Sequence, residues 1–473
     1  MKRTSVPLLA GLFVLAGAVA ADAQTFTKDV APILFEHCAS CHRPGEVAPM
    51  SLLTYKDVRP WAKAIRSKVA SREMPPWSAE PHVGRFANDR SLTPQQIDTI
   101  VKWVDRGAPQ GEDRDLPRAP AFAAGWQGGD PDYVFEMPID YAVPPDGQLD
   151  VLHFWVPIPF KDDRFVEALE LRPGNPSVVH HARVDVVTMP EGCRVVNGVL
   201  VGPDGKPDTG IDANGNRRSI FDLDGNNYHL ISFVPGRGYE RHRAGTAKRL
   251  VAGRWVRFEL HYNPHGEATT DRTKLGVWFS KTPVTHEVYT RGTGQALPTT
   301  PSAELPYIVE GREVPPVQAA DGRLRKGKIP NIPAYVENWE IVGATAVTEP
   351  ITLYALSPHM HVRGKAMKWT VTWPDGRDET ILNVPRYDFN WQINYELAAP
   401  LRLPAGSKIT AVGQYDNSPK NRYNPAPEKE VYWSDQSWDE MFIPYIEYTI
   451  DSQTVGAARK TTSSASPPQR RRQ

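Results

Sequence analysis

The chain has 473 residues, 55 Lys+Arg against 55 Asp+Glu, and 40% hydrophobic residues with 10% aromatic. That length exceeds one ordinary domain, the zero net charge argues against nucleic acid or an anionic membrane surface as the main partner, and the apolar content excludes wholesale disorder. The 45 prolines are about twice the usual ~5% and exclude a mostly helical protein, and three cysteines make no disulfide scaffold.

Residues 1–23 read as a secretory signal. Lys2 and Arg3 precede an apolar run from Val6 to Ala21, and Ala18-Val19-Ala20-Ala21-Asp22-Ala23 offers small-x-small cleavage after Ala20 or Ala23. The run is short for a ~20-residue membrane span. The expectation is an exported protein, periplasmic, with no stable membrane span.

Cys38-Ala39-Ser40-Cys41-His42 follows. C-x-x-C-H is the pattern of covalent haem attachment: each thiol adds to a vinyl group and the histidine becomes the proximal iron ligand. A zinc half-site or redox dithiol would need further Cys/His pairs or a βαβ setting, and neither is evident. The second axial ligand is Met74 or Met50. Met74 is preferred because Pro75-Pro76 makes a rigid extended loop around it. A Met/His haem suits electron transfer. Helix signals at 27–37 and 58–71, and a capped start at Thr93-Pro94 that stops at Gly107, complete the segment. Residues 24–112 thereby resemble a class I cytochrome c domain, with one covalent haem c expected.

Residues 113–130 read as a linker rich in Pro, Ala, Gly and charge. Beyond it the texture is β: Val151–Val156, Arg254–Leu260 and Trp369–Trp373 are alternating or β-rich runs, punctuated by Pro203-Asp204-Gly205 and Pro374-Asp375-Gly376. This predicts two all-β sandwiches.

Three histidine patterns recur in order: His180-His181, then His261 before Tyr262, then His359-Met360-His361. Residues i and i+2 of a strand share a face, so His359 and His361 can share a metal. Adjacent His180 and His181 face opposite sides of a regular strand and meet one ion only where the backbone bends or they use different ring nitrogens. Met441 in Asp439-Glu440-Met441 offers a soft sulfur. Imidazole with thioether suits copper.

This order resembles the copper type II, ascorbate-dependent monooxygenases, the family of peptidylglycine α-hydroxylating and dopamine β-monooxygenases. The resemblance covers roughly 130–455 and implies two jelly-roll-like sandwiches, at 131–305 and 306–455, each holding one copper. It assigns His180, His181 and His261 to an electron-transfer copper. It assigns His359, His361 and Met441 to the catalytic copper where O₂ binds and a C–H bond is hydroxylated. The whole would be a multidomain chain: a small all-α cytochrome c domain, two all-β sandwiches and a disordered tail at 456–473. The implied enzyme is an oxidoreductase acting on paired donors with incorporation of one oxygen atom, with two coppers, a small-molecule substrate, O₂ and an external electron donor.

Departures from the family matter. Tyr445 matches a tyrosine of the peptide enzyme, but Ile443 and Ser357 stand where that enzyme uses asparagine and arginine to grip a carboxylate. A C-terminal glycine peptide is therefore not the expected substrate. Cys193 is left over and reads as a small buried residue. His37, His82, His153, His229, His242, His265 and His286 show no paired spacing. Asp212–Asn216 and Asp222–Asn226 read as turns rather than calcium loops. The alternative reading is a periplasmic haem electron-transfer protein with a non-catalytic copper- or substrate-binding β module.

Overall fold

The structure is a computed structural model that describes residues 24–46, 48–122, 125–207, 228–234, 237–293, 305–318, 324–325, 327–434 and 436–455. The expected signal at 1–23, the tail at 456–473 and the two Asp/Asn-rich loops lie outside the described residues. Among the described residues no helix is long and apolar enough to cross a membrane.

The chain divides into two compact units. The first takes residues up to 43, 50–75 and 92–120; the second takes 44–49, 76–91 and everything from 121. In the first unit Ala31–His37, Tyr55–Val58, Ala62–Ala70 and Pro94–Asp105 are helical. Thr93 and Gln96 form a reciprocal cap with Pro94 in the first turn, satisfying donors that a helix start leaves open. Phe26, Leu34, Val58, Ile100 and Trp103 form the core.

The expected fold class, a small all-α cytochrome c domain followed by two all-β jelly-roll-like sandwiches, is overturned. Of the described residues 38% are strand and 11% helical, which leaves only short helices. The longest are the 9 residues of Ala62–Ala70 and the 12 of Pro94–Asp105. Prolines at 44, 49, 60, 75, 76 and 81 cut the intervening chain into turns, since each removes a helical donor and clashes with the preceding turn. Residues 76–91 leave the first unit altogether: Ala87 N–H donates to the Glu396 carbonyl, and Trp77 and Phe86 meet Tyr395 edge-on.

Among the described residues the strands lie in seven small sheets, two of six strands, two of four and three of two. One four-stranded sheet runs, in spatial order, Leu152–Pro157, Trp255–Tyr262, Val179–Val187 and Tyr228–Phe233. Its apolar face shares a core with the first six-stranded sheet through Val184, Phe258, Val166 and Leu169. The other four-stranded sheet orders Tyr289–Gly292, Ile443–Ile450, Ile351–His359 and Tyr395–Leu403. Its core with the second six-stranded sheet holds Leu353, Ile446, Ile341 and Trp369. Tyr289–Gly292, though before residue 305, thus pairs with Ile443–Ile450. Strand Trp339–Ala346 alternates buried and half-buried residues along its length, as a strand with one apolar face must. Cys193 packs beside Trp155, Val187 and Leu200.

Candidate metal centres

His180 and His181 open the strand Val179–Val187, and His261 nearly closes Trp255–Tyr262. The two strands pair antiparallel with His261 opposite His181, but Tyr262 is opposite Val179. His180 is therefore the extra residue of a β-bulge, which re-aims side chains locally. The bulge brings both rings of the doublet to one side. Ligand nitrogens of His180, His181 and His261 all lie within 4.8 Å of one another. The two Nδ1 atoms of His180 and His181 are 3.2 Å apart. Ser437 Oγ lies 3.3 Å from the His261 ring, and Asn390 Oδ1 lies 3.3 Å from His180 Nε2.

His359 ends the strand Ile351–His359, opposite Ile443. Its Nε2 is 3.2 Å from Met441 Sδ, while its Nδ1 meets Gln392 Oε1 at 2.5 Å. The His361 ring centre is 5.4 Å from that of His359, and its Nδ1 meets the Asp439 carbonyl at 3.2 Å. Met360 between them is fully buried in the core. One carboxylate joins the two segments: Glu440 accepts from the backbone N–H groups of His361 (2.8 Å), Arg363 (2.6 Å) and Met441 (3.2 Å). Burial pushes Glu440 up to about 8 despite these donors.

The two sets are one aromatic ring apart. The Phe389 ring centre lies 4.9 Å from His180, 5.9 Å from His181, 6.4 Å from His261 and 5.7 Å from His361. Burial, then neighbouring imidazoles, lowers His181 and His361 well below the usual range and takes His261 to about 3. Burial takes His359 to about 4. At neutral pH these rings are uncharged, with lone pairs free for a cation. Buried neutral imidazoles, one set of three and one with a thioether, fit copper and do not fit calcium or magnesium.

In the first unit Cys38, Cys41 and His42 occupy one turn, with His42 N–H bonded to the Cys38 carbonyl. His42 Nδ1 meets the Met50 carbonyl at 3.3 Å, so Nε2 is the ring nitrogen that would be left for a haem iron. Burial pushes the Cys38 thiol up to about 12. Met50 packs on the helical core, whereas Met74 is half-buried outside it. Cys38, Cys41 and His42 have the spacing that would hold an attached haem.

Several neighbours escaped sequence reasoning. Phe389, Asn390 and Gln392 come from the aromatic and amide-rich run 387–395, whose composition was the available signal. Ser437 and Glu440 had none beyond nearness to Met441. His229, read as unremarkable, has Nδ1 3.4 Å from Asp185 and stacks on Tyr445 with ring centres 5.7 Å apart. Asp185 also takes Arg183 (2.9 Å) and Arg257 (2.8 Å), so a buried charge network lies under the tri-histidine strands. His153 similarly lies 3.6 Å from the buried Glu259.

No family model matches the chain, and no curated protein does. Among solved structures, it is similar to the tandem CBM22-1–CBM22-2 domain of Paenibacillus barcinonensis Xyn10C, at 8% identity over 61% of this chain and 79% of that one, TM-score 0.14. Vicilin from Capsicum annuum follows at 10% identity, 64% and 73% coverage, TM-score 0.12. Procruciferin, an 11S globulin of Brassica napus, matches at 9% identity, 69% and 84% coverage, TM-score 0.09. Likenesses at these scores establish no shared fold.

Proposed function

We propose that the chain is an exported, periplasmic copper-dependent monooxygenase of the ascorbate-dependent type that hydroxylates a C–H bond of a small organic substrate. The overall conversion is R–H + O₂ + 2e⁻ + 2H⁺ → R–OH + H₂O. His180, His181 and His261 would hold one copper, His359, His361 and Met441 a second, and Cys38, Cys41, His42 and Met74 a haem c that passes electrons from an external donor. Bound copper supplies one-electron chemistry with O₂, and a Met/His haem supplies electron transfer. The chain's own part is to keep five imidazoles neutral and oriented, through burial and the partners Gln392, Ser437 and the Asp439 carbonyl. The observation that carries the reading is the convergence of six donors from four distant segments into two sets around Phe389.

Metal analysis and X-ray absorption test it. The purified chain should hold two coppers and one haem, with sulfur scattering at copper that Met441→Ala removes. The same variant should keep a reducible haem while losing reductant-driven O₂ consumption. A chain that binds no copper, or a Met441→Ala variant with its copper–sulfur scattering intact, sinks the assignment.

A further inference from the structure

Beside His359 lies a pocket that is partly open to solvent. One wall carries His229, Arg237, Glu240 and Lys248; the other carries His359, Tyr445 and Glu447. Of the two sets of metal donors, only His359 faces it.

The pocket contains four charged side chains, and they satisfy one another. Arg237 donates to Glu240. Lys248, 1% exposed, donates to the Leu230 carbonyl and stands 3.6 Å from Glu240 and 3.4 Å from Glu447. His242 reaches Glu447 at 4.0 Å from outside the lining. His229 is kept neutral by burial, and the carboxylate it faces, Asp185, is already shared by Arg183 and Arg257. The remaining lining mixes hydroxyl and amide groups (Ser357, Asn394) with apolar ones (Pro358, Ile446).

A carboxylate entering this space would have to draw Lys248 or Arg237 away from Glu240 or Glu447. That would leave a buried carboxylate unpaired, a strongly destabilising state. An ammonium group would face the converse: both carboxylates already have their cations. A neutral molecule strands no charge and can still use the hydroxyls and amides. We propose that this pocket takes an uncharged organic molecule with an apolar body and a hydroxyl or amide group, and that the Arg237–Glu240–Lys248–Glu447 set excludes carboxylates and ammonium groups. As the substrate site it rests on the monooxygenase reading; as a binding site it does not.

Three probes of one shape separate the possibilities: benzamide, benzoate and benzylamine at pH 7, titrated by saturation-transfer NMR into the full chain without copper or O₂. Benzamide should bind ~10-fold or more tightly than either ion, as expected when a buried ion pair must otherwise be broken. Ser357→Trp, which fills the pocket, should abolish its binding. Glu447→Gln frees Lys248 from one partner and should strengthen benzoate ~10-fold. Benzoate or benzylamine binding as well as benzamide overturns the proposal. So does binding by none of the three, or benzamide binding that survives Ser357→Trp. The wild-type ranking needs no variant and decides the matter even where Glu447→Gln fails to fold. Because no metal is present, loss of oxygenase activity and loss of this ranking are separate results.

Discussion

Gln392 decides which nitrogen of His359 is free. Its carbonyl oxygen accepts from Nδ1 at 2.5 Å, so the lone pair lies on Nε2, which faces Met441 Sδ. Outer partners of this kind are worth about 10–100-fold in metal affinity. Gln392→Ala should therefore weaken copper at the methionine-bearing set by about that factor and leave the tri-histidine set unchanged, as read by competition with a cuprous chelator. Equal affinities before and after would show that the ring needs no such support. The six candidate donors could be proposed from sequence because they are chemically distinctive types in a recognisable order. Gln392 and Ser437 were not, because each acquires its meaning only across the fold; Ser437 is 176 residues from the His261 it touches. Nothing local to an amide or a hydroxyl announces such a partner.

The elements that carry the donors depend on irregularities rather than on ideal strands. The doublet works only because His180 is the extra residue of a bulge, and that shift belongs jointly to Val179–Val187 and Trp255–Tyr262. Reading one strand shows that a bend is needed, not that its partner supplies one. The turn after His361 depends on close approach. A Cβ at Gly364 would lie 2.6 Å from Met360 Cβ and 2.9 Å from the Tyr387 ring. The Tyr387 hydroxyl meanwhile bonds both the N–H (3.2 Å) and the carbonyl (2.6 Å) of Met360. Gly364→Ala should cost about 1–3 kcal/mol, the usual penalty of overpacking a filled site, and reduce copper binding at His361. Denaturant unfolding of the metal-free variant measures the first; an unchanged midpoint would mean the segment yields freely. The helical expectation failed at this scale too. Short amphipathic stretches were visible, but repeated proline limits each to a few turns and sends 76–91 to pack on the β unit.

At the scale of the molecule, a net charge of zero conceals a set of buried ion pairs beside the exposed ones. Burial alone would raise Asp185 and Glu240; Arg183, with His229 and Arg257, holds the first well below the carboxylate range, and Arg237, with Lys248, holds the second low. Burial lowers His229 and His242. For all four the unfolded chain binds more protons than the folded chain in the window between the two pKa values. The contribution of these four is then full above the unfolded histidine value of ~6.5, falls as pH drops below it, and falls more steeply below ~4 as the carboxylates protonate, while Glu440, raised to about 8, works in the opposite sense. Urea midpoints of the metal-free protein measured from pH 8 to pH 3 should trace that two-step decline; a midpoint that rises between pH 7 and pH 5 would contradict it. Nothing in the composition distinguishes such pairs from a solvated charged surface, which is why the charge arithmetic said so little about function.

Glu440 holds the second donor set through main-chain N–H groups alone, at residues 361, 363 and 441. The frame is thus separable from the donors it displays. Side chains at 361 and 441 can be exchanged while the hydrogen bonds that position their backbones persist. A lineage, or an engineer, could replace the thioether of Met441 by imidazole and move the preference from cuprous copper toward zinc or cupric ions without rebuilding the strands beneath.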